Sequence, residues 1–463
     1  MTNQPGAPTP TKKRTRRVLL VALSVLLVAG LATGGWFWWS TRPAKVPDGT
    51  PPQPAAVTVA PKFKPVSNTA PVPTDDGIAA QLAEGLKDPA LGKLTGVVSD
   101  PVSGKTLWTQ DPDTPRTPAS NAKILTASAV LEQMPHDARL TTKVVAGDDP
   151  GEVILVGGGD PTLSGQPKGT PTFYTDAPRI ADLADQLKKA GVQVSSVKIA
   201  PSQVDGPDMA KAWSSDDIEG GDIAPIQSLT IDGARAKDPL DEFSPRTPTP
   251  AEDAGRALAD ALDVHSPVEE AKVPAGAKTL ASVRSAMLET RVGDMMRYSD
   301  NVLAESLGIE LSTSMGGPAS IEGGADAVVK VLSQKGFNTS GVILNDSSGL
   351  SDTDKVPATL LDQLVSASVD GKHPELTPML DTFPVAGGTG TLADRFDKDN
   401  PGAGWVRAKT GTLTGVSSLT GIVQDVDGRV LSFALMSGGT SPADARPAID
   451  ALAGALRECG CRG

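Results

Sequence analysis

The chain has 463 residues, enough for a sizeable core and for more than one compact unit, since domains typically hold about 100 to 200 residues. Aromatic content is 3%, and 48 Gly with 40 Pro imply many turns and at least one unstructured linker. The net charge of −12 conceals an asymmetry: the first 42 residues hold six basic and no acidic side chains, and the remainder holds 37 basic against 55 acidic, which excludes a basic footprint for nucleic acid.

Residues 1–17 form a basic tail with Lys12, Lys13, Arg14, Arg16 and Arg17. Residues 18–39, VLLVALSVLLVAGLATGGWFWW, carry no charge over 22 positions. As a helix rising about 1.5 Å per residue they would cross a bilayer core of about 30 Å. The positive-inside rule puts the tail in the cytoplasm and everything after Ser40 outside, with Trp36, Trp38 and Trp39 at the far interface. A cleaved export signal is the competing reading, although the run exceeds an h-region of about 7 to 15 residues and no A-x-A triplet stands near its end. Residues 40–76, Pro-rich and without periodicity, read as an extended linker.

Residues 93–110 predict two strands joined by a turn at Asp100-Pro101-Val102-Ser103-Gly104. Behind Pro118 the stretch NAKILTASAVLEQM predicts a helix with Ile124, Leu125, Ala127, Val130 and Leu131 available for burial. EVILVG at 152–157 reads as a strand. A helix follows, with Thr175 or Asp176 as cap, Pro178 in its first turn, Ile180, Leu183, Ala184 and Leu187 on one face, and Gly191 as terminator. Residues 141–270 are accordingly expected to be an inserted α/β subdomain. The C-terminal part returns to strands, WVRAKTGT, VSSLTGIVQDV and RVLSFALMS, with turns at Gly415 and Asp427-Gly428, and ends in a helical stretch, PADARPAIDALAGALREC. Antiparallel strands flanked by helices imply an α+β catalytic domain, residues 77–140 and 271–463, split by the insertion. Cys459 and Cys461 are too few for a zinc framework; a terminal disulfide and two unpaired thiols are both open.

Three motifs occur in order: Ser120-Asn121-Ala122-Lys123, Ser299-Asp300-Asn301 and Lys409-Thr410-Gly411-Thr412. Positions i and i+3 share a helix face, so Ser120 and Lys123 can meet. A second S-x-x-K, Ser195 to Lys198, falls in the strand pattern VQVSSVKIA, where residues three apart face opposite sides. The trio is that of penicillin-binding proteins and class A β-lactamases. Together with TPASNAKILTA, VGGGDPTL, DIAPIQSLTIDG, NDSSGLS, PVAGGTGTLADRF and VRAKTGTLTGVSSLTG, it makes roughly residues 77–460 resemble the class C low-molecular-mass penicillin-binding proteins, the D-alanyl-D-alanine carboxypeptidases and endopeptidases. The 179 positions between Ser120 and Ser299 fit that family's inserted domains, which the shorter β-lactamases lack.

The resemblance implies a penicillin-binding/β-lactamase-like serine transpeptidase fold, no cofactor and no metal, peptidoglycan stem peptides as substrate and β-lactam antibiotics as covalent inhibitors. The topology expected from the basic tail and apolar run puts the catalytic part on the cell-wall side of the membrane. Acylation needs an activated hydroxyl, so Ser120 is the expected nucleophile and neutral Lys123 its base, with desolvation and the charge of Lys409 lowering the Lys123 pKa. Ser299 is expected to relay a proton to the departing D-alanine, and Asn301 to hold the substrate backbone. Lys409, Thr410 and Thr412 suit the terminal carboxylate, and Gly411 is expected to let substrate lie against the strand edge. By the same resemblance the backbone N–H groups of Ser120 and Thr412 form the oxyanion hole, where one lost donor costs about 3 to 4 kcal/mol. Asp346-Ser347-Ser348-Gly349-Leu350 is placed near the active site, and Gly157-Gly158-Gly159-Asp160 reads as a turn. His136, His265 and His373 lack metal-ligand spacing, and there is no G-x-S-x-G elbow. The expected function is a serine-type carboxypeptidase, with an endopeptidase activity beside it; a β-lactamase and a non-catalytic wall-binding protein are the rivals.

Overall fold

The computed structural model describes residues 69–201 and 204–461. The expected tail and anchor, residues 1–39, and most of the linker lie outside the described residues. Among the described residues no helix is long and apolar enough to cross a membrane.

In chain order the elements are α1 (Asp75–Leu82), β1 (Thr95–Asp100), β2 (Lys105–Gln110), α2 (Ala122–Gln133), β3 (Thr141–Ala146), β4 (Glu152–Val156), α3 (Ile180–Lys189), β5 (Ser196–Ala200), α4 (Pro250–Leu262), β6 (Glu269–Glu270), β7 (Thr279–Arg284), α5 (Leu288–Tyr298), α6 (Asn301–Ser314), α7 (Ile321–Gln334), α8 (Ala358–Val369), β8 (Arg407–Leu413), β9 (Val416–Gln424), β10 (Val430–Gly438) and α9 (Pro442–Arg457). Short helical turns fill several connections. The first helix opens two residues before the expected linker boundary, because Thr74 caps it by accepting the Gly77 N–H.

One sheet runs β2-β1-β10-β9-β8, every neighbouring pair antiparallel. Both of its faces are covered, which is why β1 is buried at all six positions. Val97, Ala434 and Met436 face a core built with α2, α5, α6, α7 and α8. Val98, Leu431, Phe433 and Leu435 face the other way, onto α1 and α9. Helix α2 is buried from Ala122 to Glu132, as its continuous apolar run requires for a helix at the centre of a layer.

The second sheet runs β6-β5-β4-β3-β7 and mixes parallel pairs (β4 with β5, β5 with β6) with antiparallel ones (β3 with β4 and β7). Helices α3 and α4 cover it with Leu183, Leu187, Ala254 and Leu258. Strand β7 lies past the expected boundary at 270, so this sheet extends to residue 284. The helix expected from Pro178 opens later, at Ile180, with no side-chain cap. Thr175 is drawn elsewhere: its N–H and hydroxyl both donate to Asp294, at 2.7 and 2.9 Å.

Residues 209–234 leave the second sheet and pack Trp213, Ile223 and Ile226 against Val302 and Ile321 of α6 and α7. Cys459 and Cys461 form a disulfide, and the Cys461 carbonyl accepts the Thr74 N–H at 2.8 Å.

Candidate active site

Ser120 lies in a single 3-10 turn, Ala119–Asn121, that leads directly into α2. Helix continuity brings Lys123 back over it, and the Lys123 Nζ donates to Ser120 Oγ at 3.1 Å. The residue before the serine, Ala119, is buried with φ of +49°, a left-handed conformation that costs a non-glycine residue about 1 to 3 kcal/mol. The Ser120 N–H sits in the first turn, where helix geometry leaves donors without an intrahelical acceptor.

Three acceptors surround the Lys123 amine: Ser120 Oγ, Asn301 Oδ1 at 2.5 Å and the Ser348 carbonyl at 2.8 Å. Burial pushes this lysine down to about 8, against the opposing pull of Asp346, Glu305, Asp300 and Asp222. Glu305, on α6 and fully buried, accepts the Ser347 N–H on both oxygens at 3.1 Å. Burial, then the charge of Asp346, raises its pKa well above the usual carboxylate range.

Ser299 ends α5 in a left-handed conformation, φ +57°, and Asp300 begins α6 by accepting the Leu303 N–H at 2.9 Å. That reversal turns Ser299 toward β8, where Lys409 donates to its hydroxyl at 2.8 Å and to the Thr410 carbonyl at 2.8 Å. Burial lowers Lys409 well below the usual lysine range, and the charge of Lys123 lowers it further, with Glu242 opposing. The repulsion between the two amines is mutual; at Lys409 one carboxylate opposes it, whereas four carboxylates oppose the effect of burial at Lys123.

Strand β8 is an edge strand. The Ala408 N–H points to its outer edge, donating to Pro384 at 3.0 Å, so alternation presents the N–H of Thr410 and Thr412 to the same edge. The Thr410 hydroxyl donates to Thr391 Oγ1 at 2.9 Å, while Thr412 stands half-buried beside it. Gly411 also has a packing role. A Cβ there would lie 2.2 Å from Ser418 Oγ and 2.6 Å from the Pro118 carbonyl, so the missing side chain lets β8 press against the turn that carries Ser120.

The five groups expected to carry chemistry, Ser120, Lys123, Ser299, Asn301 and Lys409, are therefore brought together, with Thr410, Gly411 and Thr412 on the adjoining strand. The Asp346–Leu350 loop meets the lysine rather than an open cleft, through Ser348. Asp346 holds that loop by accepting N–H groups of Ser348, Gly349 and Ser351 and the Trp213 indole, at 3.1, 2.6, 2.7 and 2.9 Å. Sequence reasoning missed Asp300's partners as well. Its Oδ2 accepts from the Tyr174 hydroxyl at 2.9 Å, Arg235 at 2.9 Å and Arg246 at 3.4 Å. Burial works to raise its pKa, but the two guanidiniums outweigh it and hold the carboxyl well below its ordinary range. No local pattern signals such partners; only the fold brings them in.

A serine with its amine one turn away, and a second serine bonded to a second buried amine, define on this α+β fold a serine-type peptidase. The profile of the D-Ala-D-Ala carboxypeptidase 3 (S13) family matches residues 78–242 and 241–459. The chain is 46% identical over 461 residues to the carboxypeptidase DacB of Mycolicibacterium smegmatis, covering 98% of this chain and 99% of that one. It is 31% identical to the D-alanyl-D-alanine carboxypeptidase of an Actinomadura species, over 81% and 83% of the two chains. Its fold matches that of penicillin binding protein 4 (dacB) from Haemophilus influenzae with a TM-score of 0.64 at 20% identity, over 82% of this chain and 98% of that one. The chain belongs to the D-Ala-D-Ala carboxypeptidase 3 (S13) family.

Proposed function

We propose that the protein is a serine-type D-alanyl-D-alanine carboxypeptidase that forms an acyl-enzyme on Ser120. The observation that carries this reading is the Lys123 amine, buried, pushed down to about 8 and 3.1 Å from the serine hydroxyl. In its neutral form Lys123 takes the proton from Ser120 Oγ as the oxygen adds to the carbonyl of the penultimate D-alanine. The negative oxygen that develops is stabilised by the N–H groups of Ser120 and Thr412. The C–N bond then breaks as the proton held by Lys123 is relayed through Ser299 to the departing D-alanine nitrogen, which returns the lysine to its neutral form, and water then releases the acyl group from the serine.

Lys409 and the Thr412 hydroxyl bind the terminal carboxylate, joined by the Thr410 hydroxyl when it turns its proton from Thr391 to the substrate. That carboxylate favours the charged form of Lys409, and the returned charge pushes the proton off Lys123. Substrate docking and base activation are coupled in this way. The same steps cleave a cross-link when the departing amine belongs to a neighbouring stem peptide. β-Lactam antibiotics enter as covalent inhibitors because ring opening leaves the acyl group on the serine with no departing fragment.

The catalytic part works outside the membrane, tethered by residues 18–39. The basic tail followed by 22 uncharged residues supports this.

The test is intact-protein mass spectrometry of the full chain with benzylpenicillin, beside the Ser120→Ala variant, together with release of D-alanine from a peptide ending in D-alanyl-D-alanine. A lasting adduct on the native protein alone, with D-alanine released, is the expected result. Rapid turnover of the penicillin points to a β-lactamase. No adduct and no release on the folded chain would leave a wall-binding protein.

A further inference from the structure

The two guanidiniums on Asp300 use their remaining N–H groups differently. Arg235 donates to the carbonyls of Asp241 and Asp232 and to the Tyr174 hydroxyl, at 3.1, 3.0 and 3.0 Å. These bonds close its own loop around the carboxylate. Arg246 reaches toward the reaction centre, donating Nε to the Gly221 carbonyl at 2.9 Å and Nη1 to the Gly233 carbonyl. The next residue after Gly221 is Asp222, and its carbonyl accepts Asn301 Nδ2 at 2.9 Å.

A backbone carbonyl can only accept, so the amide nitrogen of Asn301 must face Asp222 and its oxygen must face away. The direction away is Lys123, whose Nζ donates to that oxygen at 2.5 Å. Arg246 thus stands at the start of a chain of bonds running through Gly221, Asp222 and Asn301 to the amine beside Ser120. Gly221 itself has little freedom: it is left-handed at φ +86°, and an added Cβ would lie 2.8 Å from the Ser244 carbonyl and 2.9 Å from that of Phe243.

We propose that Arg246 is a positioning residue for acylation, holding Gly221 and Asp222 so that the Asn301 amide turns its oxygen to Lys123. This rests on the reading of Ser120 as the acylated serine and Lys123 as its base. Arg246 touches neither substrate nor nucleophile; it acts on the base through the orientation of one amide. A stretch of chain between the first and second motifs thereby sets the geometry of the first.

The experiment is a double-mutant cycle on the full chain, reading the rate of benzylpenicillin acylation across pH for the native protein, Arg246→Lys, Asn301→Ala and the pair. Lysine keeps a positive charge beside Asp300 but cannot also reach Gly221. Arg246→Lys is expected to slow acylation about 10²-fold, the scale of a misplaced catalytic group. The acid limb of its profile should move to lower pH, because an ammonium that loses an acceptor gives up its proton more easily. The charged and titratable groups facing that amine, Asp222, Asp300, Glu305, Asp346 and Lys409, are all retained in the variant. In the Asn301→Ala background the same change should cost no more than about threefold, since the amide through which it acts is gone.

A normal rate for Arg246→Lys, an unmoved acid limb, or losses that multiply in full would overturn the proposal. If Arg246→Lys does not fold, Gly221→Ala displaces the same segment from the other side and is expected to show the same loss and the same lack of multiplication. A native protein that benzylpenicillin never labels sinks the reading of Ser120 and this inference with it. A labelled native protein with a multiplying cycle sinks the inference alone.

Discussion

Ser120 and Lys123 stand three residues apart on one turn and its helix, whereas Asp300, between Ser299 and Asn301, depends on partners 126, 65 and 54 positions away. The first corner is made by backbone continuity. The second is made by residues that meet only when the chain between the motifs has folded. Both corners are buried and both are needed to place one amine, so the difference teaches where each can fail. Damage to the first should remove chemistry and spare the fold. Damage to the second should cost stability as well.

Lys123→Met tests that division most severely. Methionine keeps much of the lysine stem and removes an amine whose burial outweighs the pull of its partners, since they leave it lowered to about 8. Benzylpenicillin acylation is expected to fall by about 10³-fold, within the range for a lost general base, while the thermal unfolding midpoint stays close to native. Acylation within tenfold of native would remove Lys123 from the role of base.

Asp300→Asn strikes the other corner. Arg235 and Arg246 keep their charges and lose the one that neutralises them, a change expected to cost about 3 to 5 kcal/mol in denaturant unfolding. A loss below about 1 kcal/mol would show that the network is not the second corner's support.

The pH dependence of acylation should come from the first corner. Below about 8 Lys123 is protonated and cannot take the serine proton, so the rate should rise about tenfold per pH unit up to that point and then level off. Because the folded value lies below the ordinary 10.5, the folded state binds fewer protons between the two, and this group adds stability as pH rises from about 8 to 10.5. A rate independent of pH between 6 and 8 would break the link to Lys123.

The smallest effect is expected far from both corners. Lys105 and Asp75 pair at 2.6 Å, but both are more than half exposed, and Lys105→Ala should cost at most about 1 kcal/mol with acylation unchanged. Denaturant unfolding measures the first quantity and adduct formation the second.

The same division explains what was legible in the sequence. Strand alternation and helix periodicity were enough to locate the Asp100–Gly104 hairpin turn, the buried helix behind Pro118 and the three C-terminal strands. Each depends on neighbours a few residues away. The spacing of Ser120 and Lys123 was enough to bring hydroxyl and amine together for the same reason. Thr175 was misread as a cap because its true partner, Asp294, lies 119 positions away. Tyr174, Arg235, Arg246 and Trp213 were invisible as site residues, since nothing in their own surroundings distinguishes them from ordinary side chains. The packing role of Gly411 was equally hidden, because the Pro118 carbonyl that a side chain would strike lies 293 positions before it.

The direct bond between Ser299 and Lys409 has a further consequence. It joins the end of a helix to an edge strand, and those two elements belong to different packed layers. A slip of about 1 Å between the layers would part them without melting either, and misplacement on that scale can silence an enzyme. Catalysis in this protein is therefore a gauge of registration. Under mild denaturant, turnover should vanish while circular dichroism still reports every helix and strand in place.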